Sequence, residues 1–119
     1  MNIETIREYI LQKPGVTEGF PFDDVSLVFK VQISPEGKPR KDRIFLIASL
    51  DSSPLQFNAK CDPDKAIELR EEYPESVLPG YHMDKKHWNT IVVDGRLTTK
   101  QLKEMIDDSY NLVGKKKKK

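Results

Sequence analysis

The sequence predicts a two-layer α+β sandwich, in which an antiparallel five-stranded sheet is covered by three helices in the order α-β-β-β-α-β-β-α. Three observations lead there. Segments near both termini repeat apolar residues every three to four positions, as one face of a helix requires. Several short runs between them are rich in strand formers. Tight turn residues separate those runs, so consecutive strands return antiparallel and three helices suffice to cover one face.

The elements follow in order. Asn2 can cap a helix over residues 3–12, whose Ile3, Ile6, Ile10 and Leu11 share a face, and Pro14-Gly15 ends it. Residues 19–24, with Phe20-Pro21-Phe22, read as a loop. Residues 25–31 and 44–50 are the first two strands. The stretch Ser34-Pro35-Glu36-Gly37-Lys38-Pro39 supplies turn chemistry for a long exposed hairpin between them. After the reversal at residues 51–54, Leu55, Phe57 and Ala59 alternate with polar partners as a half-buried strand. Asp62-Pro63 opens a helix over residues 63–73, since Asp accepts orphan amides and Pro fits the first helical position. Residues 76–83 and 87–93 form a second hairpin, joined at Asp84-Lys85-Lys86. Thr98 with Gln101 makes a capping box for a last helix over residues 99–113, with Leu102, Met105, Ile106 and Tyr110 on one face.

At 119 residues the chain suits one domain, residues 1–114, followed by a basic tail at 115–119. No stretch approaches the apolar length of a membrane span, and the N-terminus lacks the pattern of a secretory signal. Cys61 is the single cysteine, which excludes an internal disulfide and points to a reducing compartment, the cytoplasm. The net charge of +1 conceals an asymmetry. The five terminal lysines offset a body with 15 basic and 19 acidic side chains. A body of that sign is a poor generic polyanion binder, so any nucleic-acid contact must come from local patches and the tail.

The segment Pro79-Gly80-Tyr81-His82-Met83-Asp84-Lys85-Lys86-His87-Trp88-Asn89-Thr90 closely resembles the signature of the MmcQ/YjbR-like family. Lys60-Cys61-Asp62-Pro63, Phe20-Pro21-Phe22 and Val28-Phe29-Lys30 match it too, in the right order and over nearly the whole chain. The resemblance implies a CyaY-like or secretion-chaperone-like sandwich, and DNA binding through two protruding hairpins, a double wing. Two departures stand out. The first hairpin is longer than the family's pattern across residues 33–42, and Asp84 stands where that pattern has Asn.

On this reading the candidate nucleic-acid contacts are Lys38, Arg40, Lys41 and Arg43 at the first hairpin tip and Lys85, Lys86 and His87 at the second. Cations on an exposed β-ribbon can reach phosphates or enter a groove; an ordinary solvated, edge-blunting loop has the same composition. Trp88 could stack on a base, but is expected to be partly buried scaffold. His82, Asp84 and His87 lack a metal site's ligand number and spacing. Cys61 has no neighbouring base to activate it, and acids at 62, 64 and 68 are explained by helix capping. No catalysis, cofactor or metal is therefore expected. The leading function is a DNA-binding module; the rival is a protein- or peptide-binding adaptor using a sheet face or edge. A third reading is a small-ligand pocket lined by Phe20, Phe22, Tyr81 and Trp88.

Overall fold

Each helix begins where a side chain satisfies its first backbone amides. Asn2 accepts from the Thr5 amide at 2.9 Å while the Thr5 hydroxyl takes the Asn2 amide, and helix α1 runs Ile3–Leu11. Asp62 accepts from the Lys65 amide, with Pro63 at the first position of α2, Pro63–Glu72. The expected capping box opens α3, Thr99–Gly114: Thr98 Oγ1 accepts from the Gln101 amide at 3.1 Å, and Gln101 Oε1 accepts from the Thr98 amide at 2.8 Å.

The computed structural model describes residues 1–34, 37, 39, 41–80 and 83–114. Its strands are β1 (Val16–Gly19), β2 (Ser26–Ile33), β3 (Lys41–Ser49), β4 (Leu55–Lys60), β5 (Val77–Pro79) and β6 (Trp88–Val93). They form one antiparallel sheet in the order β1-β2-β3-β4-β6-β5. The α+β class and the three helices are as the sequence predicts; the sheet has six strands, not five. The additional strand is β1, a four-residue edge directly after Pro14-Gly15 and ending in Gly19. It is too short to display alternation, and its pairing with β2 (Val16 opposite Val31, Gly19 opposite Val28) is a tertiary event. β5 is also shorter than the 76–83 expectation, holding three residues.

The register sorts the side chains into two faces. Leu27, Phe29, Val31, Leu46, Ala48, Phe57, Ala59, Ile91 and Val77 share one, and they form a single core with Ile6 and Ile10 of α1 and Leu102, Met105 and Ile106 of α3. Helix α2 lies on the same side, because Asn89, in the Ala59 row, donates from Nδ2 to the Ala66 carbonyl. The opposite face, with Val28, Lys30, Ile47, Asn58, Lys60, Trp88 and Thr90, has no helix over it among the described residues. At about 25 cal/mol per Å² of apolar surface, the shared core is what fixes which face each strand turns inward.

One polar residue sits inside the core where the sheet parts. β2 and β3 change register at Phe29/Lys30, leaving Phe45 as the additional residue of a bulge. The β3–β4 ladder stops at Leu46 opposite Ala59, and the next rung would join Phe45 to Lys60. There the fully buried Ser109 of α3 intervenes. Its hydroxyl donates to the Phe45 carbonyl at 2.5 Å and accepts from the Lys60 amide at 3.0 Å. A hydroxyl can do both, so the two strands separate beyond this level without leaving either backbone group unpaired.

Candidate functional site

The antiparallel register sends both hairpins out of the same end of the sheet. β4 ends at Lys60, opposite Trp88 at the start of β6, and the Cys61 amide donates to the His87 carbonyl at 2.7 Å. β3 begins at that end with Lys41 and Arg43, paired to Ile33 and Val31. Only β4 separates β3 from β6 in the sheet order, so the two hairpins leave the sheet two strand positions apart. Lys41, Arg43, Lys85 and Lys86 are all exposed there. Lys38 and Arg40 lie outside the described residues. Helix α3 ends at the same place: a Cβ on Gly114 would sit 3.5 Å from the side chain of Val31, the register partner of Arg43; the 115–119 lysines lie outside the described residues.

The second tip is braced. Asp84 Oδ1 accepts from the Lys86 amide at 2.9 Å, its Oδ2 meets His87 Nδ1 at 2.6 Å, and its carbonyl accepts from the His87 and Trp88 amides. The His87 contact first and the Lys86 amide second hold the Asp84 carboxyl below the usual carboxylate range. From α2, Arg70 Nη2 donates to the Lys85 carbonyl at 3.1 Å. Asp84 therefore organises the turn that presents Lys85 and Lys86, while its charge opposes theirs. His87 is partly buried and engaged with Asp84, which makes it a bracing residue more than a contact.

Trp88 is 9% exposed, in keeping with its expected scaffold role. Lys60 Nζ lies over its ring at 5.7 Å, and Gly80, directly after β5, presses on its backbone and Cβ. A Cβ at Gly80 would come within 3.0 Å of Trp88 Cβ and 3.1 Å of its carbonyl oxygen. The sequence also offered a small-ligand pocket around Phe20, Phe22, Tyr81 and Trp88. Trp88 is packed away, Tyr81 lies outside the described residues, and Phe20 and Phe22 are 50% and 65% exposed. Lys30 and Lys60 on the helix-free face are candidates that sequence reasoning missed, whereas Phe20 and Phe22, which it offered as pocket lining, are exposed. Their exposure contradicts their hydropathy, so only the fold could disclose it.

Among the described residues no three His, Cys, Asp or Glu side chains converge as metal ligands; His82 is outside them. Burial, followed by Asp108 and Asp62, pushes the Cys61 thiol up to about 11. It is protonated at neutral pH, the opposite of an activated nucleophile. No described helix is long and apolar enough to cross a membrane.

Residues 11–112 match the YjbR domain family. The chain belongs to the YjbR family. Its bacterial relatives include YbdF of Escherichia coli O157:H7, 34% identical over 92% of this chain and 82% of that protein. YjbR of Escherichia coli K12 is 28% identical over 100% of this chain and 96% of its own. Among solved structures, the Deinococcus radiodurans protein DR2400, of the DUF419 domain family, superposes with a TM-score of 0.86 at 38% identity. That match covers 97% of this chain and 80% of that one. A Pseudomonas syringae protein, 21% identical, has the same fold at a TM-score of 0.69, covering 94% of this chain and 98% of its own. The YjbR signature falls on the β5–β6 hairpin, the braced tip described above.

Proposed function

We propose that this YjbR-family chain is a non-catalytic nucleic-acid-binding module that grips DNA with its two hairpin tips. The observation that carries the reading is directional: both hairpins leave the same end of the sheet, and α3 ends there at Gly114. Lys41 and Arg43 on one side and Lys85 and Lys86 on the other can then meet one duplex backbone together. Contacts of this kind position a protein on phosphates and carry little sequence information. Binding is expected to be weak, salt-sensitive and nearly indifferent to sequence. The protonated Cys61 thiol supports a role without covalent chemistry.

The test measures duplex binding across a salt series for three proteins: the intact chain, a chain ending at Gly114, and the latter with Lys85→Ala and Lys86→Ala. Removing one lysine–phosphate interaction lowers the log–log salt slope by about 0.9, so the double substitution is expected to lower it by about 1.8. If removing the tail abolishes binding outright, the folded domain is not the reader. No binding by any of the three at low salt ends the DNA reading and puts the peptide-binding adaptor ahead.

A further inference from the structure

The helix-free face of the sheet carries chemistry that the hairpin tips do not use. Phe20 and Phe22 are half or more exposed on the β1–β2 connection, an unusual position for two large aromatics separated by one proline. Phe20, Pro21, Val28 and Lys30 line a depression of about 330 Å³, which Glu18 and Asp42 also border. That volume is at the low end for small-molecule sites, about 300 Å³, and suits a single flat ring. Lys30 and Lys60 stand on the same face, on β2 and β4. Asn58, in the row of Val28 and Ile47 on the same face, accepts from the Thr90 hydroxyl at 2.6 Å.

The charge on this face runs against that of the body. Residues 1–114 hold four more acids than bases, yet the outward rows of β4, β5 and β6 contain no carboxylate, and among the described residues Asp42 is the one such group on β2 and β3. Two neighbouring acids are already committed. Glu18 is paired by Arg7, and Asp23 accepts from the Val25 and Ser26 amides, which hold it below the usual range. Asp24 remains exposed at the loop. The Lys60–Trp88 pair then joins this face to the root of the second tip.

We propose that the helix-free face binds single-stranded nucleic acid, with a base stacked on Phe20 above Val28 and the phosphodiester backbone crossing Lys30 and Lys60 toward the second tip. Exposed aromatics beside cations are the pattern that holds unpaired bases, because every base offers a flat face and every linkage a charge. A duplex keeps its bases stacked inside and cannot use Phe20. The proposal extends the nucleic-acid reading above from the tips to a second surface.

The experiment uses the intact chain with a labelled thymidine oligomer of about 16 nucleotides and a duplex of equal length. Phe20→Ala is expected to weaken the oligomer about tenfold and leave the duplex unchanged; Phe20 is exposed enough for the fold to persist, which the thermal midpoint checks. Lys30→Gln with Lys60→Gln is expected to lower the salt slope for the oligomer by about 1.4, at 0.7 per phosphate of a single strand. Trp88, the single tryptophan, lies under Lys60 and should change its emission as the oligomer binds. Oligomer affinity indifferent to Phe20→Ala overturns the proposal. So does an equal weakening on the duplex, or displacement of the oligomer by polyglutamate with the same Phe20 dependence, which would mark an acidic-protein surface. Duplex binding that needs Lys85 and Lys86 while the oligomer ignores Phe20 sinks this proposal alone. Phe20-dependent oligomer binding without any duplex binding sinks the tip reading alone.

Discussion

Between the β2–β3 hairpin and the β5–β6 hairpin, rigidity is supplied at opposite ends. The first is anchored at its root: Phe29 and Phe45 are fully buried, and Phe45 meets Tyr110 of α3 edge-to-face at 5.6 Å. Its outer residues Lys41, Asp42 and Arg43 are all exposed. The second has only three residues in β5, but its tip is tied down by Asp84 and by Arg70 reaching over from α2. A short strand cannot hold a tip through packing, so side-chain hydrogen bonds hold it instead. A long ribbon rooted in the core has no such need. One hairpin thus presents its cations on a reach and the other at fixed positions.

The comparison breaks most visibly at the first root. Phe45→Ala is expected to cost about 3–5 kcal/mol, measured by denaturant unfolding. Trp88→Ala should fall at the lower end of that range, since its ring is partly held by Lys60; an unchanged thermal midpoint would return Trp88 to a surface role. Ser109→Ala leaves the Phe45 carbonyl and the Lys60 amide without their bridge. It should cost about 2 kcal/mol and speed hydrogen exchange at the Lys60 amide, whereas a change confined to global stability would show that the strands close the gap directly.

Alkaline titration sharpens the root further. Cys61 is raised from 9.0 to about 11 by burial first, and Tyr9, raised from 10.0 to about 12 by burial and then by its hydrogen bond to Asp107, adds to it. Both groups hold their protons more tightly folded than unfolded, so stability is full below pH 9 and declines as pH rises toward 12. Cys61→Ala should flatten the part between pH 9 and 11 in chemical unfolding. The smallest effect is expected at the second tip. Asp84→Asn keeps an acceptor for the Lys86 amide and removes the opposing charge. It should leave stability within about 0.5 kcal/mol and strengthen duplex binding roughly threefold, within the 0–1 kcal/mol of an exposed charge pair. Weaker binding would mean that the His87–Asp84 contact matters more than the charge.

Sequence patterns disclosed the elements whose causes are local. Asn2, Asp62 and the Thr98–Gln101 box marked helix starts because capping is a matter of three or four neighbouring residues. Periodicity placed Ile6, Ile10, Leu102 and Ile106 in the core. β1 escaped because its strand character comes from β2, not from Val-Thr-Glu-Gly. Ser109 escaped because a serine on an apolar helix face carries no sign of which strands await it. For the site, the Lys85-Lys86 tip was legible from its motif. The organising use of Asp84 and the exposure of Phe20 were not, since each depends on what folds against it.

The Ser109 hydroxyl has a mechanical consequence. It splits the sheet like the crotch of a fork, with one tine made by β2–β3 and the other by β4–β6. The last turns of α3 meet the first tine through Tyr110 on Phe45 and Gly114 against Val31, and they face the second across a depression shared by Asp108, Asn111 and Leu112 with Cys61 and Asp62. A load on the end of α3 therefore reaches the first tine through Tyr110 and Gly114, with the inserted hydroxyl as the fulcrum between the two tines.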